Sequence, residues 1–509
     1  MEYDLVIFGA SGFTGKYVVR EALKFLNTPS SPLKTLVLAG RNPSKLAQTL
    51  TWASSQSTTP SSISIIKADI SDPSSLLNLF SKSKLVLNCV GPFRLYGEPV
   101  VSACVETGCD YLDICGEPEF MEKMEVRYHD KAVEKGSLVV SACGFDSIPA
   151  ELGLMFHCKQ WVPPSVPYKV EAYLSLESEK SIVGNFGTYE SAVLGVANME
   201  KLMELRKSRP NRARPLNKDA IWIPSMDYVD QLVKYGYGKK MAPVNMTTIV
   251  SMNIFQSELR MKASDEAAAD CMVSPRVSHI PGPRPSKGAT FEHQKKIGLW
   301  GLKLPSADST VVRRTFVTLT ENPDGLPGVN ESEEEIEKRK SFWASMKPAH
   351  FGVKIASKSP FGLIRVIIAG IFIGLFGQFS FGRWLLLKFP SLFTAGWFKK
   401  KGPTEEEVES AFFKMWFVGQ GYSDVTLASE GNRKPDMEVI TRVTGPEIGY
   451  VTTPIVLVQC ALVLLGRRNS LPKGGVYPPG IVFGATDLQE RLQENGISFD
   501  LISKNTYSA

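Results

Sequence analysis

The strongest constraint on this chain lies in its first fifteen residues. Tyr3-Asp4-Leu5-Val6-Ile7-Phe8 reads as a buried strand, and Gly9-Ala10-Ser11-Gly12-Phe13-Thr14-Gly15 turns directly into an amphipathic helix carrying Val18, Val19 and Leu23. A strand, a glycine turn and a helix in that order form a phosphate cradle. Gly9 permits the tight turn, Gly12 lets backbone approach a pyrophosphate, and Gly15 allows helix and strand to pack closely. The helix N-terminus adds unpaired N–H groups and positive dipole. Three glycines alone also suit an ordinary tight turn, but their place between strand and helix selects dinucleotide binding. Gly9, Ala10, Ser11, Gly12, Phe13, Thr14 and Gly15 are the candidate cradle, in the G-x-x-G-x-x-G spacing of many NADP-dependent reductases.

Strand and helix then alternate. Strands are expected at Thr35–Ala39, Ile63–Ile66, Leu85–Val90, Tyr111–Ile114 and Ser137–Val140, with helical stretches between them. This is the pattern of a doubly wound parallel sheet, a Rossmann domain over residues 1–150. At the end of the second strand an NAD-binding fold commonly has an acidic residue for the ribose hydroxyls. Arg41 stands there instead, with Lys45 one turn on, and a guanidinium suits the 2′-phosphate of NADP. A solvated Arg at a strand end is the plainer alternative. Asp69, closing the third strand, is placed either for an adenine contact or as a helix cap. Gly91-Pro92 at the end of the fourth strand bends the chain away and opens backbone towards the cofactor.

A chain of 509 residues has room for two or more domains, and a net charge of +6 is too mild to indicate a nucleic-acid partner. Cys89, Cys104, Cys109, Cys115 and Cys143 fall in or beside buried elements. No cysteine pair has metal-ligand spacing, so no metal site is expected. With a strand beginning at residue 3, no signal peptide or Arg-rich presequence is expected, and the expected place of the chain is the cytosolic side.

Longer motifs follow in order: Asn88-Cys89-Val90-Gly91-Pro92-Phe93 with Tyr96-Gly97-Glu98-Pro99, Cys109-Asp110-Tyr111-Leu112-Asp113 with Gly116-Glu117, and Ala142-Cys143-Gly144-Phe145-Asp146-Ser147-Ile148-Pro149. Gly187-Thr188-Tyr189-Glu190-Ser191, Leu304-Pro305-Ser306-Ala307-Asp308 and Gly474-Gly475-Val476-Tyr477-Pro478-Pro479-Gly480 continue the series. With these the chain resembles the saccharopine dehydrogenase-like oxidoreductases, in particular their eukaryotic branch, which is similar to the trans-acting enoyl reductases of bacterial glycolipid synthesis. The resemblance spans nearly the whole chain and implies a second, α+β domain for substrate or dimerisation over 151–215 and 281–450. The segment 451–509 then returns to the fold. Residues 216–280 carry no family motif and are bracketed by Arg-Pro-rich text, as expected of an insertion or of retained non-coding sequence.

The Gly144–Gly153 motif ends the sixth strand and opens a helix at the sheet's carboxyl edge, where ligands bind in such folds. Asp146 and Ser147 are expected to cap that helix, with Pro149 in its first turn, and Asp146 is also a candidate for proton transfer. His129, His157 and His293 lie on helices or linkers without evident partners, and no Tyr-x-x-x-Lys pair is well placed. Tyr96 and Tyr189, each inside a family motif, are therefore the other candidate proton donors.

The second half is apolar and basic. Val366–Phe376 is too short to cross a bilayer, at roughly 17 Å as a helix. Phe381, Trp384, Phe389, Phe393 and Trp397 follow, and Lys399-Lys400-Lys401 ends the run. About 361–401 therefore reads as a half-inserted segment on a membrane or lipid-droplet surface, or else as a buried helix pair or homodimer interface. Pro454–Leu465 reads as a buried core helix. Beyond it, Thr486–Glu494 is a helix with Thr486 and Gln489 as a capping box and Gly496 as its stop. The expected function is NADP-dependent oxidation or reduction of a lipid-linked substrate at the cytosolic face of a membrane or droplet, within (glyco)lipid metabolism. The mitochondrion is the alternative location. Saccharopine dehydrogenase activity on a soluble amino acid, or a droplet scaffold without turnover, are the alternative functions.

Overall fold

Side chains along the first strands alternate between two apolar faces, so the sheet they form is buried on both sides. The computed structural model describes residues 2–54, 62–208, 289–347, 349–429 and 433–507. The expected insertion at 216–280 lies outside the described residues. Within them, β1 (Tyr3–Phe8), β2 (Leu36–Gly40), β3 (Ile63–Lys67), β4 (Ser83–Asn88), β5 (Asp110–Asp113) and β6 (Leu138–Val140) alternate with helices. These are α1 (Phe13–Leu23), α2 (Pro43–Ala53), α3 (Pro73–Phe80), α4 (Phe93–Thr107) and α5 (Pro118–Lys135), and α6 (Ile148–Cys158) follows β6.

Downstream come β7 (Val166–Ser178), β8 (Gly184–Asn185), helix α7 (Phe186–Ala197), β9 (Phe291–Gln294), β10 (Leu299–Lys303), β11 (His350–Ser357), β12 (Phe398–Lys399), β13 (Ala411–Tyr422), β14 (Met437–Pro446), β15 (Gly475–Tyr477) and β16 (Ser498–Thr506). The first sheet has the order β15-β6-β5-β4-β1-β2-β3, every pair parallel. Its order reverses between β1 and β4, which opens a crevice beyond their carboxyl ends. Leu5, Ile7, Leu36, Leu38, Leu85 and Leu87 point to one face, and Val6, Phe8, Val37, Ala39 and Val86 to the other.

The second sheet runs β16-β14-β13-β7-β11-β10-β9 and is antiparallel except where β11 lies parallel to β7. Its inner face, with Ala172, Phe413, Phe417 and Val443, shares one continuous core with the first sheet through α6 and the Thr453–Arg467 helix. That helix, with the turns flanking it, forms the segment Ile448–Ser470. It is apolar and long enough to cross a membrane, yet 78% of its most apolar window is buried inside the protein. It is the core helix expected at Pro454–Leu465.

Two local expectations are corrected. The tail helix is Leu488–Glu494, and Gln489 turns forward to Gln493 rather than back to Thr486. Thr486 Oγ1 accepts the Leu488 N–H at 3.2 Å, so a tight local turn replaces the capping box. His157 does have a partner: its Nδ1 lies 2.9 Å from Thr441 Oγ1, and burial pushes the imidazole down to about 3. It is a neutral core residue.

Candidate functional site

The glycine turn has the geometry a phosphate cradle needs. Gly9 sits at φ +81° beside the end of β4, and a side chain on it would meet Val90 Cγ2 at 2.6 Å. Gly15 faces the turn so closely that a Cβ there would stand 2.3 Å from the Gly9 carbonyl oxygen. Helix α1 begins at Phe13 after Gly12, with no side-chain cap, so its first N–H groups face the turn. The Phe13 ring packs edge-on to Tyr450, with centroids 4.8 Å apart, and thereby ties the cradle to the second domain.

Arg41 follows β2 directly and is exposed, while Asn42 caps α2 by accepting the Lys45 N–H at 3.1 Å. Asp69 at the end of β3 accepts from the Ser71 N–H and hydroxyl at 3.0 and 2.8 Å. Those two bonds and the charge of Arg41 hold its carboxyl below the ordinary range. Asp72, not Asp69, caps α3, by accepting the Ser74 and Ser75 N–H groups. Gly91-Pro92 is a cis peptide after β4, and Pro92 precedes α4. Cradle, Arg41 and crevice together fit a dinucleotide bearing a 2′-phosphate.

Sequence reasoning missed a buried polar network at the carboxyl ends of β4, β5 and β6. Asp113 accepts from the Tyr111 hydroxyl (2.8 Å), the Ser141 hydroxyl (3.0 Å) and the Cys115 and Ala142 N–H groups (2.9 Å each). Asn88 donates to the Tyr111 oxygen at 3.1 Å and accepts the Val90 N–H at 3.0 Å. Burial outweighs these bonds and raises the Asp113 carboxyl to about 6. The network ties together the three strand ends that form the crevice wall. In the sequence Asn88, Tyr111 and Asp113 stood inside the quoted family motifs at the ends of otherwise apolar strands, but nothing there paired them with one another.

Glu117 was missed as well. It accepts the Phe93 and Arg94 N–H groups at the start of α4 (2.9 and 3.1 Å), the Arg94 Nε–H (2.8 Å) and the Ser191 hydroxyl (2.9 Å). Arg94 also donates to the Leu194 carbonyl. A buried, fully paired carboxylate thus joins the strand end to α7.

The three catalytic candidates are not brought together. Tyr96 is exposed on α4. Tyr189 on α7 is buried, its ring lies 5.3 Å from that of Phe398, and among the described residues its hydroxyl has no hydrogen-bond partner. Burial pushes that hydroxyl up to about 12. Asp146 lines the crevice after β6, exposed to solvent but walled by protein, and this desolvation raises its carboxyl. The capping expected of Asp146 and Ser147 does not occur: α6 starts without a side-chain cap, and the Ser147 hydroxyl donates to the Asp146 carbonyl instead. Pro149 does occupy the first turn.

The apolar segment forms three helices, Pro360–Phe376, Ser380–Lys388 and Pro390–Phe393, and the first two pack against α7. Leu363, Val366 and Ala369 face inward from the longest of them, while Phe361, Ile364 and Ile368 face out. Phe361 is 75% exposed, Leu392 74% and Phe381 65%. Isolated exposed apolar residues are ordinary, but a cluster this large and this apolar on both faces is not. The basic end is less free than the sequence suggested, since Lys399 pairs with Glu407 at 2.9 Å.

Residues 5–140 match the saccharopine dehydrogenase NADP binding domain. A protein of Arabidopsis thaliana named as a mitochondrial saccharopine dehydrogenase-like oxidoreductase is 62% identical over 503 residues, 99% of this chain and 97% of its own length. A lipid droplet localized protein of Caenorhabditis elegans is 28% identical over 510 residues, 99% of each chain. A Mycobacterium tuberculosis protein named for trans-acting enoyl reduction is 38% identical over 154 residues, 30% of this chain and 35% of its own.

Proposed function

The chain belongs to the saccharopine dehydrogenase-like oxidoreductases, with NADP as its cofactor, and we propose that its substrate is an apolar, lipid-linked molecule met at a membrane or lipid-droplet surface. One observation carries this reading: the exposed apolar lobe packs on α7, and α7 is bonded through Ser191 and Leu194 to the Glu117–Arg94 pair at the cofactor crevice. A lobe seated on lipid therefore holds the crevice close to that surface. The worm relative's droplet location and the bacterial relative's name are in keeping with a lipid substrate. We place that surface on the cytosolic side, with the mitochondrion, the organelle in the plant relative's name, as the alternative location.

The cradle and Arg41 would hold NADP, which supplies hydride exchange when bound, while the protein orients the substrate and manages the proton. Lipid extracts of a deletion strain are expected to accumulate one lipid class and lose its reduced or oxidised counterpart. An unchanged lipid profile with disturbed soluble amino acids would reverse the reading.

The cofactor assignment is tested separately through Arg41. Its charge-assisted bonds to a 2′-phosphate contribute roughly 1.5–3 kcal/mol, or about ten- to a hundredfold in affinity. Calorimetry should show NADPH bound more tightly than NADH by that factor, and Arg41→Asp should narrow or reverse the gap. Equal affinities in the unaltered protein would end the idea.

A further inference from the structure

The apolar lobe reaches the cofactor cradle by a second route, through the residues that close it. Phe398 of β12 packs in the lobe's own apolar cluster, together with Phe372, Phe376 and Phe393. Backbone bonds tie this short strand on both sides. The Phe398 N–H donates to Thr394 Oγ1 at 3.1 Å, and the Trp397 carbonyl accepts the Gly184 N–H at 2.7 Å. Phe398 and Lys399 then pair with Gly184 and Asn185 of β8. The pairing is close: a Cβ on Gly184 would run into the Phe398 ring.

After Lys399 the chain turns onto the cradle. Gly402 closes that turn at φ +70°, donating its N–H to the Lys399 carbonyl at 3.0 Å. It lies against the Phe13 ring, where a Cβ on Gly402 would stand 2.7 Å from Cε2 and Cζ. Phe13 is the first residue of α1, and its N–H is one of the donors that the helix leaves for a phosphate. The β8 strand leads to the same ring. The Asn185 N–H donates to the Tyr450 hydroxyl at 2.8 Å, and Tyr450 packs edge-on against Phe13. Phe13 is therefore held by two groups, Gly402 and Tyr450, that are each continuous with the β8–β12 pair and through it with the lobe.

We propose that residues 397–402 are a strap coupling the cofactor cradle to the lobe, so that NADP in the cradle and a lipid surface on the lobe each strengthen the binding of the other. The lipid half of this rests on the reading above, but the response of the strap to NADP does not. Bound phosphates order the Phe13 backbone, while Gly402 and Tyr450 order its side chain. The entropy of fixing this residue is lost once, so whichever partner arrives second binds more tightly. Linkage requires the gain to be the same factor in both directions.

Limited trypsin digestion of the full chain reads the strap directly, because Lys400 and Lys401 are exposed within it. Trypsin cuts a segment in proportion to how often it opens, so a ligand that keeps the segment closed slows the cut. Lys358, 72% exposed just before the lobe's first helix, is the reference for general stabilisation of the fold. Saturating NADPH should slow cleavage at Lys400 and Lys401 by at least about fivefold relative to Lys358, the lower end of ordinary coupling between sites. Phe13→Ala removes the ring and keeps the backbone donor, so at NADPH concentrations that calorimetry shows to be saturating it should return this ratio to about one. Tyr450→Phe, which loses the bond to Asn185 and keeps the ring, should lower the ratio partway. A ratio that NADPH leaves at one in the wild type, or one undiminished in Tyr450→Phe, overturns the strap. Vesicles of phosphatidylcholine with phosphatidylserine test the lipid half: they should tighten NADPH binding by the factor by which NADPH tightens flotation. Flotation that NADPH does not change overturns the coupling to the lobe, whereas no flotation at all ends the lipid reading and leaves the strap to stand on the digestion.

Discussion

Gly15→Val is expected to abolish NADPH binding and to loosen the first domain. A Cβ at this position would stand 2.3 Å from the Gly9 carbonyl and 3.1 Å from Ala10 Cα, both backbone atoms that cannot rotate aside. The helix must retreat from the turn, and overpacking of this kind costs about 1–3 kcal/mol even where side chains can adjust. Retreat also withdraws the first N–H groups of α1 from the phosphates, which removes dipole and hydrogen bonds together. A loss of at least about a hundredfold in NADPH affinity follows, equivalent to roughly 3 kcal/mol. Fluorescence titration measures it, and a thermal melt separates lost binding from lost folding. Near-normal affinity in a folded Gly15→Val protein would mean that the dinucleotide does not use this turn.

The parallel sheet was legible because its information is local. Six short apolar runs, each closed by a glycine or polar turn, place β1 to β6 within a few residues of where they form. The seventh strand was not legible. Gly475–Tyr477 is three residues long and pairs with β6 from more than three hundred residues away, and so short a run has no period to read. The site divides in the same way. Gly9, Gly12, Gly15 and Arg41 signal themselves by spacing from a strand. Asp113 and Glu117 acquire meaning only from partners on other elements, Ser141 and Ala142 for the first, Arg94 and Ser191 for the second. Capping misled for a related reason. Ser147 was close enough to α6 to cap it, but its hydroxyl found the Asp146 carbonyl first.

Phe361→Asp, Phe381→Asp and Leu392→Asp combined are expected to release the protein from lipid surfaces while leaving its fold intact. These side chains lie on the outer face of the lobe at 75%, 65% and 74% exposure, so the folded protein in water gains little from them. Phe372 and Phe376 lie inside the same lobe and pack on one another and in one cluster with Tyr189 of α7, so acidic substitutions there would confuse release with unfolding. Each exposed side chain that enters the acyl region contributes roughly 1.5–3 kcal/mol, so losing three lowers vesicle affinity by about a thousandfold or more. The cations have the smaller part. Lys399 is held by Glu407, and Lys388 lies 4.5 Å from the Trp384 ring centre. Lys400, 5.7 Å from the Phe186 ring centre, and Lys401 stay exposed, at about 1 kcal/mol apiece near anionic headgroups. Flotation with vesicles of neutral and of anionic lipid distinguishes the two contributions: the triple variant should fail with both, and Lys400→Gln with Lys401→Gln should weaken binding only to the anionic ones. Undiminished flotation of the triple variant would return the lobe to the other reading of its apolar face, a contact between two copies of the chain, which sedimentation would then show as a dimer that the same substitutions dissociate.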